Sequence, residues 1–351
     1  MEPAPPPEDA TSGLEARLAP LYVALSEHEK AGAVHEAAAV GAEIGARLAD
    51  AVRTAYDQAR ADWAARRDRA AFGHFEVALN AHWWNLLGLA LPVSAASCYR
   101  GLAELFTVWR QPFAVAAATA LALRGGSKFY RRPPLCQIPL LEGLYEQLFG
   151  QRADGAFVEV GAFDGETYGN TAQLADLGWR GLYVEPEPDA VARCRRRHAA
   201  NPGITVLNAA IGAEEGTTTL WVAREFSSVV RSQVDYGIAK GWMSPGARAE
   251  ITVPLLRLST ALTQAGVAPG FELLVVDVEG AEEAVFAGFE LSAWRPRTLI
   301  VELCDFDPTP GAKLDLDAPA IASARRVREA LLAAGYEAVY ADFNNTVFRR
   351  I

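Results

Sequence analysis

The second half of this chain limits its fold most, because short β-branched runs alternate there with helical stretches. AFVEV (156–160) precedes a helix expected from about Asn170, and LYVEP (182–186) precedes one through Val191 to His198. ITVLNAAIG (204–212) follows; then LLVVDV (273–278) leads into a helix from Glu282, and TLIVEL (298–303) comes after it. Strands that alternate with helices imply βαβ units and a parallel sheet covered on both faces. Two further β-rich stretches, TTTLWVA (217–223) and ITVPLLRL (251–258), lie between the third and fourth strands, and YEAVYA with NTVFRRI closes the chain as an expected antiparallel pair.

The first half reads differently. Residues 14–124 are rich in Ala, Leu, Glu and Arg with no alternating pattern, so they are expected to be helical. Ile44, Leu48, Val52, Ala59 and Trp63 share one helical face, while Glu43 with Arg47 and Asp62 with Arg66 form i,i+4 pairs. Phe72, Phe75, Trp83 and Trp84 read as core aromatics, and His74 and His82 lack metal-ligand spacing with an acid partner. The stretch RGGSKFYRRPP (124–134) interrupts the periodicity. The expected organisation is a disordered lead-in (1–13), a helical domain (14–124), a linker (125–135) and an α/β domain (136–351). The helical domain is a candidate surface for a homodimer.

Composition excludes several classes. With 33 Lys and Arg against 43 Asp and Glu the formal charge is −10, which argues against a nucleic-acid partner. Val77–Tyr99 carries no charged residue, but Asn80, His82, Asn85 and Pro92 interrupt it, so a helix pair broken near Pro92 is expected rather than a membrane span. The four cysteines show no CxxC spacing, and the N-terminus is acidic and proline-rich rather than basic and then apolar. The expected setting is therefore the cytoplasm, with free and mostly buried thiols and no integral membrane segment.

In an open parallel sheet the ligand lies beyond the carboxyl ends of the strands. Glu159 lies near the end of strand one, Glu185 ends strand two, Asn208 strand three, Asp277 strand four and Glu302 strand five. A glycine loop, Gly161 to Thr171, follows strand one, and Glu185 stands about twenty residues further on, where an acid accepts ribose hydroxyls. That spacing is common to dinucleotide and S-adenosylmethionine enzymes. The loop lacks the GxGxxG order, and acids at Glu159 and Asp277 suit S-adenosylmethionine and methyl transfer. Tyr236 and Lys240 have the i,i+4 spacing of a short-chain dehydrogenase, but they precede two strands that should come first.

FVEVGAFDGETYGNT, GWRGLYVEPEPDA, VLNAAIG, LLVVDVEGAEEAVFAGF and IVEL, in that order, resemble the FkbM-type family of S-adenosylmethionine-dependent methyltransferases over roughly residues 136 to 350. One departure is Gly169, where the family commonly has serine. The resemblance implies a class I methyltransferase fold, Rossmann-like with a mostly parallel sheet, behind an N-terminal all-helical domain. It implies O-methylation of a hydroxyl on a small molecule, a specialised metabolite or a sugar. The alternatives are a regulatory module that binds S-adenosylmethionine without turnover, and an enzyme with a glycan or lipid-linked acceptor. It also implies a cofactor site of Glu159, Gly161, Ala162, Phe163, Asp164, Asn170, Thr171, Glu185, Pro186, Asn208, Ala209 and Asp277. Asp277, Glu279 and Glu302 are the candidate catalytic groups. A divalent cation on Asp277 and Glu302 is the less favoured alternative to a metal-free base. His198 is read as solvated, and Asp305 and Asp307 as residues of a solvated loop with substrate contact as the alternative.

Overall fold

The structure is a computed structural model and describes residues 8–133, 135–224, 226–239, 249–309, 312, 314 and 318–351. The chain divides into two compact units, Met1–Leu144 and Tyr145–Ile351.

The described part of the first unit is helical: α1 (Glu8–Lys30), α2 (Val34–Ala64), α3 (Asp68–Trp83), α4 (Ala95–Val108) and α5 (Pro112–Arg124), with α6 (Leu141–Phe149) beginning before the unit ends. Helix α1 starts at Glu8, so the second half of the expected lead-in is helical, and residues 1–7 of it lie outside the described residues. In α2 the spacing of Ile44, Leu48, Val52, Ala55 and Ala59 buries one stripe, as 3.6 residues per turn requires. Asp62 rather than Trp63 continues that buried stripe, and its partners are Arg67 and His74, not Arg66. The guanidinium of Arg66 instead lies over the Trp63 ring. Phe72 and Phe75 are core, whereas Trp83 and Trp84 are half-buried.

The expected helix pair within 77–99 is corrected in one respect. Helix α3 stops at Trp83, and α4 starts at Ala95 with Ser94 as its N-cap, its Oγ accepting from Ser97 N at 3.2 Å. The loop between them carries exposed Leu86 and Leu87. Among the described residues no helix is long and apolar enough to cross a membrane. Helix α5 begins on Pro112 and ends on Gly125, whose φ of 72° closes it in the left-handed region.

In the second unit come β1 (Ala156–Val160), α7 (Ala172–Asp176), β2 (Arg180–Glu185), α8 (Pro188–Arg197), β3 (Ile204–Asn208), β4 (Ala210–Ile211) and β5 (Gly216–Val222). They are followed by α9 (Arg231–Ala239), β6 (Ala249–Leu256), α10 (Leu258–Gln264), β7 (Leu273–Val276), α11 (Glu282–Ala287), α12 (Leu291–Trp294), β8 (Thr298–Glu302), α13 (Pro319–Ala333), β9 (Tyr336–Ala341) and β10 (Asn345–Arg350). Lys240 lies outside the described residues.

Seven strands form one sheet in the order β3-β2-β1-β7-β8-β10-β9. Its first five pair in parallel, and β10 runs against both its neighbours. This is the sheet that the resemblance to class I methyltransferases implies, and the strand order changes direction between β1 and β7. The two extra β-rich stretches do not join it. They pair with each other as β5 and β6 and with β4 in a separate three-stranded sheet. The core of the unit combines Val158, Leu182, Leu274 and Leu299 with Val285, Leu262 and Val327. Strands covered on both faces leave only their ends for polar chemistry, and there the acids collect.

Candidate active site

The site is assembled where β1 and β7 meet. Gly161 has φ 85°, and a Cβ there would lie 1.5 Å from the Asp277 carbonyl oxygen. Only a residue without a side chain lets the loop after β1 touch the loop after β7 backbone to backbone. Gly161 N and Ala162 N both donate to Val184 O, at 2.9 and 3.2 Å, which ties the loop to β2 as well.

Glu185 is buried at the end of β2, with its Oε2 accepting from Phe163 N and its Oε1 from Glu187 N, both at 2.8 Å. Burial raises its carboxyl to about 7. A cavity of about 410 Å³ adjoins it, lined by Phe163, Glu187, Arg193 and Arg224, and the Arg193 guanidinium lies 4.9 Å from the centre of the Phe163 ring. Arg224 and Arg193 were not foreseen, since neither lies at a strand end.

Glu159 is buried and turned into the loop itself. Its Oε1 accepts from Asn170 N at 2.9 Å and its Oε2 from the Thr171 hydroxyl at 2.5 Å, and burial raises its carboxyl to about 7. Asp164 shapes the next turn by accepting from Glu166 N, Thr167 N and the Thr167 hydroxyl. Asn208 spends its Nδ2 on the carbonyls of Glu185 and Pro186, at 3.0 and 2.8 Å. Ala162 and Ala209 are buried, and their methyls belong to the core.

On the other side, Asp277, Glu279 and Glu302 each offer a carboxylate oxygen, and these atoms lie within 4.8 Å of one another. Adjacent parallel strands make this contact, with Val276 opposite Val301. Burial raises Asp277 to about 6 against a hydrogen bond from Glu302 that lowers it. Burial, and then the charge of Asp277, raises Glu302 well above the carboxylate range. Both carboxyls are thus raised by burial, Glu302 the more, and a hydrogen bond joins them. Glu279 has a left-handed φ of 54°, and the Ser228 hydroxyl donates to its carbonyl at 2.8 Å. Glu282 closes the DVEGAE turn, its Oε1 accepting from Val278 N and Gly280 N at 3.1 Å.

Two sequence readings need correction. His198 is not solvated: it is buried, its ring stacks on Tyr183 at 4.6 Å, and its Nε2 lies 2.8 Å from Gly165 O. Asp305 lies in a loop as expected but is not solvated: it is buried in a two-pronged ion pair with Arg328, at 2.5 and 2.6 Å. Asp307 accepts from Thr309 N in a local turn.

The methyltransferase FkbM domain matches residues 159–338, which takes in β1's acid, the glycine loop, Glu185 and the whole acid cluster. The chain belongs to the FkbM methyltransferase family. Solved structures with some likeness include an O-methyltransferase from Bacillus cereus in complex with SAH, 14% identical over 69% of this chain and 89% of that one, with a TM-score of 0.34. The O-methyltransferase TomG from Streptomyces achromogenes, in complex with SAM, is 17% identical over 67% of this chain and 87% of that one, with a TM-score of 0.35. No curated protein matches. The family assignment rests on the domain match and the enzyme is accordingly a methyltransferase.

Proposed function

We propose that this methyltransferase uses S-adenosylmethionine to methylate a hydroxyl of a small molecule, a specialised metabolite or a sugar. The reading is carried by one juxtaposition: a buried nucleoside-type acid, Glu185, on the same sheet edge as the converging carboxylates of Asp277, Glu279 and Glu302.

The residues present fit that cofactor. Each Glu185 oxygen accepts one backbone N–H, and each carboxylate oxygen has a further lone pair for a ribose hydroxyl. The cavity beside it has an aromatic wall in Phe163. Glu159 would hold the loop of Asn170 and Thr171 around the methionine end. When bound, S-adenosylmethionine supplies an electrophilic methyl group on a sulfonium.

The protein's own task is then alignment and removal of one proton. An aliphatic hydroxyl, with a pKa near that of water at roughly 16, loses its proton only as the new bond forms, to a base within hydrogen-bond reach. Asp277 is that base. Its hydrogen bond from Glu302 steadies the carboxylate and favours its ionised form, and Glu279 orients the acceptor hydroxyl. A divalent cation on the same carboxylates would need about six oxygen ligands and the loss of the hydrogen bond between Asp277 and Glu302.

The test is transfer of label from methyl-labelled S-adenosylmethionine into a panel of hydroxylated glycosides and polyketides, and into a cell extract. It is run with and without exhaustive chelation, for wild type, Asp277→Asn and Glu302→Gln. Transfer that survives chelation and is lost in Asp277→Asn supports the metal-free reading. Loss on chelation that magnesium restores overturns it, and unchanged transfer in both variants removes the pair from the chemistry.

A further inference from the structure

The glycine loop has a floor that none of its own residues supply. Gly165, at φ 77°, sits directly on helix α8, where a Cβ would meet Cys194 Sγ and His198 Nε2, both at 2.7 Å. Cys194 lies in the last turn of that helix and His198 is its C-cap, so the end of α8 closes over Gly165. A carbonyl can only accept, so His198 Nε2 carries the proton and donates to Gly165 O at 2.8 Å. The ring is held flat against Tyr183, with 20° between the planes. Tyr183 in turn presents its hydroxyl to Thr171 Oγ1 at 3.0 Å, and the Thr171 hydroxyl donates to Glu159.

These contacts form one buried chain, from His198 through Tyr183 and Thr171 to Glu159, and it grips the loop at two points. Gly165 is held near its middle, and Asn170 with Thr171 at its end. We propose that His198 is a positioning residue for the cofactor: by holding Gly165 down it sets the backbone from Gly161 to Thr171 for the amino-acid end of S-adenosylmethionine. This rests on the cofactor reading above. Burial lowers the pKa of the imidazole, which leaves it neutral at physiological pH with its one proton committed to Gly165.

Two variants separate the parts of the contact. His198→Phe keeps a flat ring against Tyr183 and removes the donor, leaving the Gly165 carbonyl unsatisfied. His198→Gln keeps an N–H donor and removes the ring. Binding is measured by calorimetry with two probes, S-adenosylmethionine and 5′-methylthioadenosine, which lacks the amino-acid end. The expected result is that His198→Phe weakens S-adenosylmethionine about tenfold, a lost hydrogen bond's worth, while 5′-methylthioadenosine changes less than twofold. His198→Gln should recover most of the loss. A merely structural role would lower the melting temperature of both variants and the fraction of protein that binds, without this split between probes. Unchanged S-adenosylmethionine affinity in His198→Phe, equal losses for the two probes, or no recovery in His198→Gln overturns the proposal. Wild type that binds neither probe defeats the cofactor reading itself.

Discussion

Two sets of buried acids, Asp62 in the helical unit and Glu159 with Glu185 in the second, are treated in opposite ways. In the helical unit Asp62 is 2% exposed, yet it accepts from Arg67 at 2.5 and 2.8 Å, Gln58 at 3.1 Å and His74 at 2.8 Å. Burial acts to raise its carboxyl, but these donors outweigh it and hold the group below the usual range. At the sheet edge of the second unit Glu159 and Glu185 are also buried, and they accept hydrogen bonds from backbone N–H groups and a hydroxyl, with Arg193 acting on Glu185 only as a nearby charge. Both are raised to about 7 by burial. Asp62 is held by a cation, whereas Glu159 and Glu185 take their hydrogen bonds from neutral donors, and burying a carboxylate without a paired cation costs stability. Asp305, just beyond β8, is treated like Asp62 and is paired to Arg328, so the difference does not follow the boundary between the units.

The sharpest way to break this contrast is Glu185→Ala. Two hydrogen bonds to a charged acceptor at about 1.5 to 3 kcal/mol each should weaken S-adenosylmethionine more than 100-fold by calorimetry. Binding at wild-type affinity would make Glu185 another structural acid. Asp62→Ala should do the reverse: cofactor affinity stays within twofold while chemical denaturation shows a loss of about 2 kcal/mol, because one side chain organises Arg67, Gln58 and His74.

Acidity offers a third, smaller test. Carboxyls raised from 4.5 to about 7 at Glu159, Glu185 and Glu282, and from 3.8 to about 6 at Asp277, bind more protons folded than unfolded between those limits. Their contribution to stability therefore falls as pH rises from about 4.5 to 7, so the ligand-free protein should melt higher near pH 5.5 than near pH 8. Asp62, lowered when folded, has the opposite sign and loses its contribution only as pH falls below its ordinary 3.8. Asp277→Asn should flatten the slope between pH 4 and 6, and a wild-type melting temperature that rises steadily from pH 5.5 to 8 would contradict the assignment. The smallest effect belongs to the exposed pair Glu43 and Arg47, where Glu43→Ala should cost at most about 0.5 kcal/mol in the same denaturation experiment.

Periodicity in the sequence was enough to place the strands and to show that Glu185, Asn208, Asp277 and Glu302 stand at their ends, because a doubly covered strand tolerates a polar residue only there. It also determined the helical stripe from Ile44 to Ala59, since that pattern is local. Partners distant in sequence were not legible. Asp62 reaches His74 twelve residues on, Asp305 reaches Arg328, Ser228 reaches Glu279, and His198 reaches back to Gly165, each through the packing of separate elements. Strand order belongs to the same class: β1 lies between β2 and β7, and β10 between β8 and β9, a choice made by pairing across long separations. The protonation of the site was decided at that level too. Asp277 and Glu302 stand 25 residues apart and meet in a hydrogen bond that raises one and lowers the other only because β7 and β8 are neighbours, a proximity that local pattern does not encode.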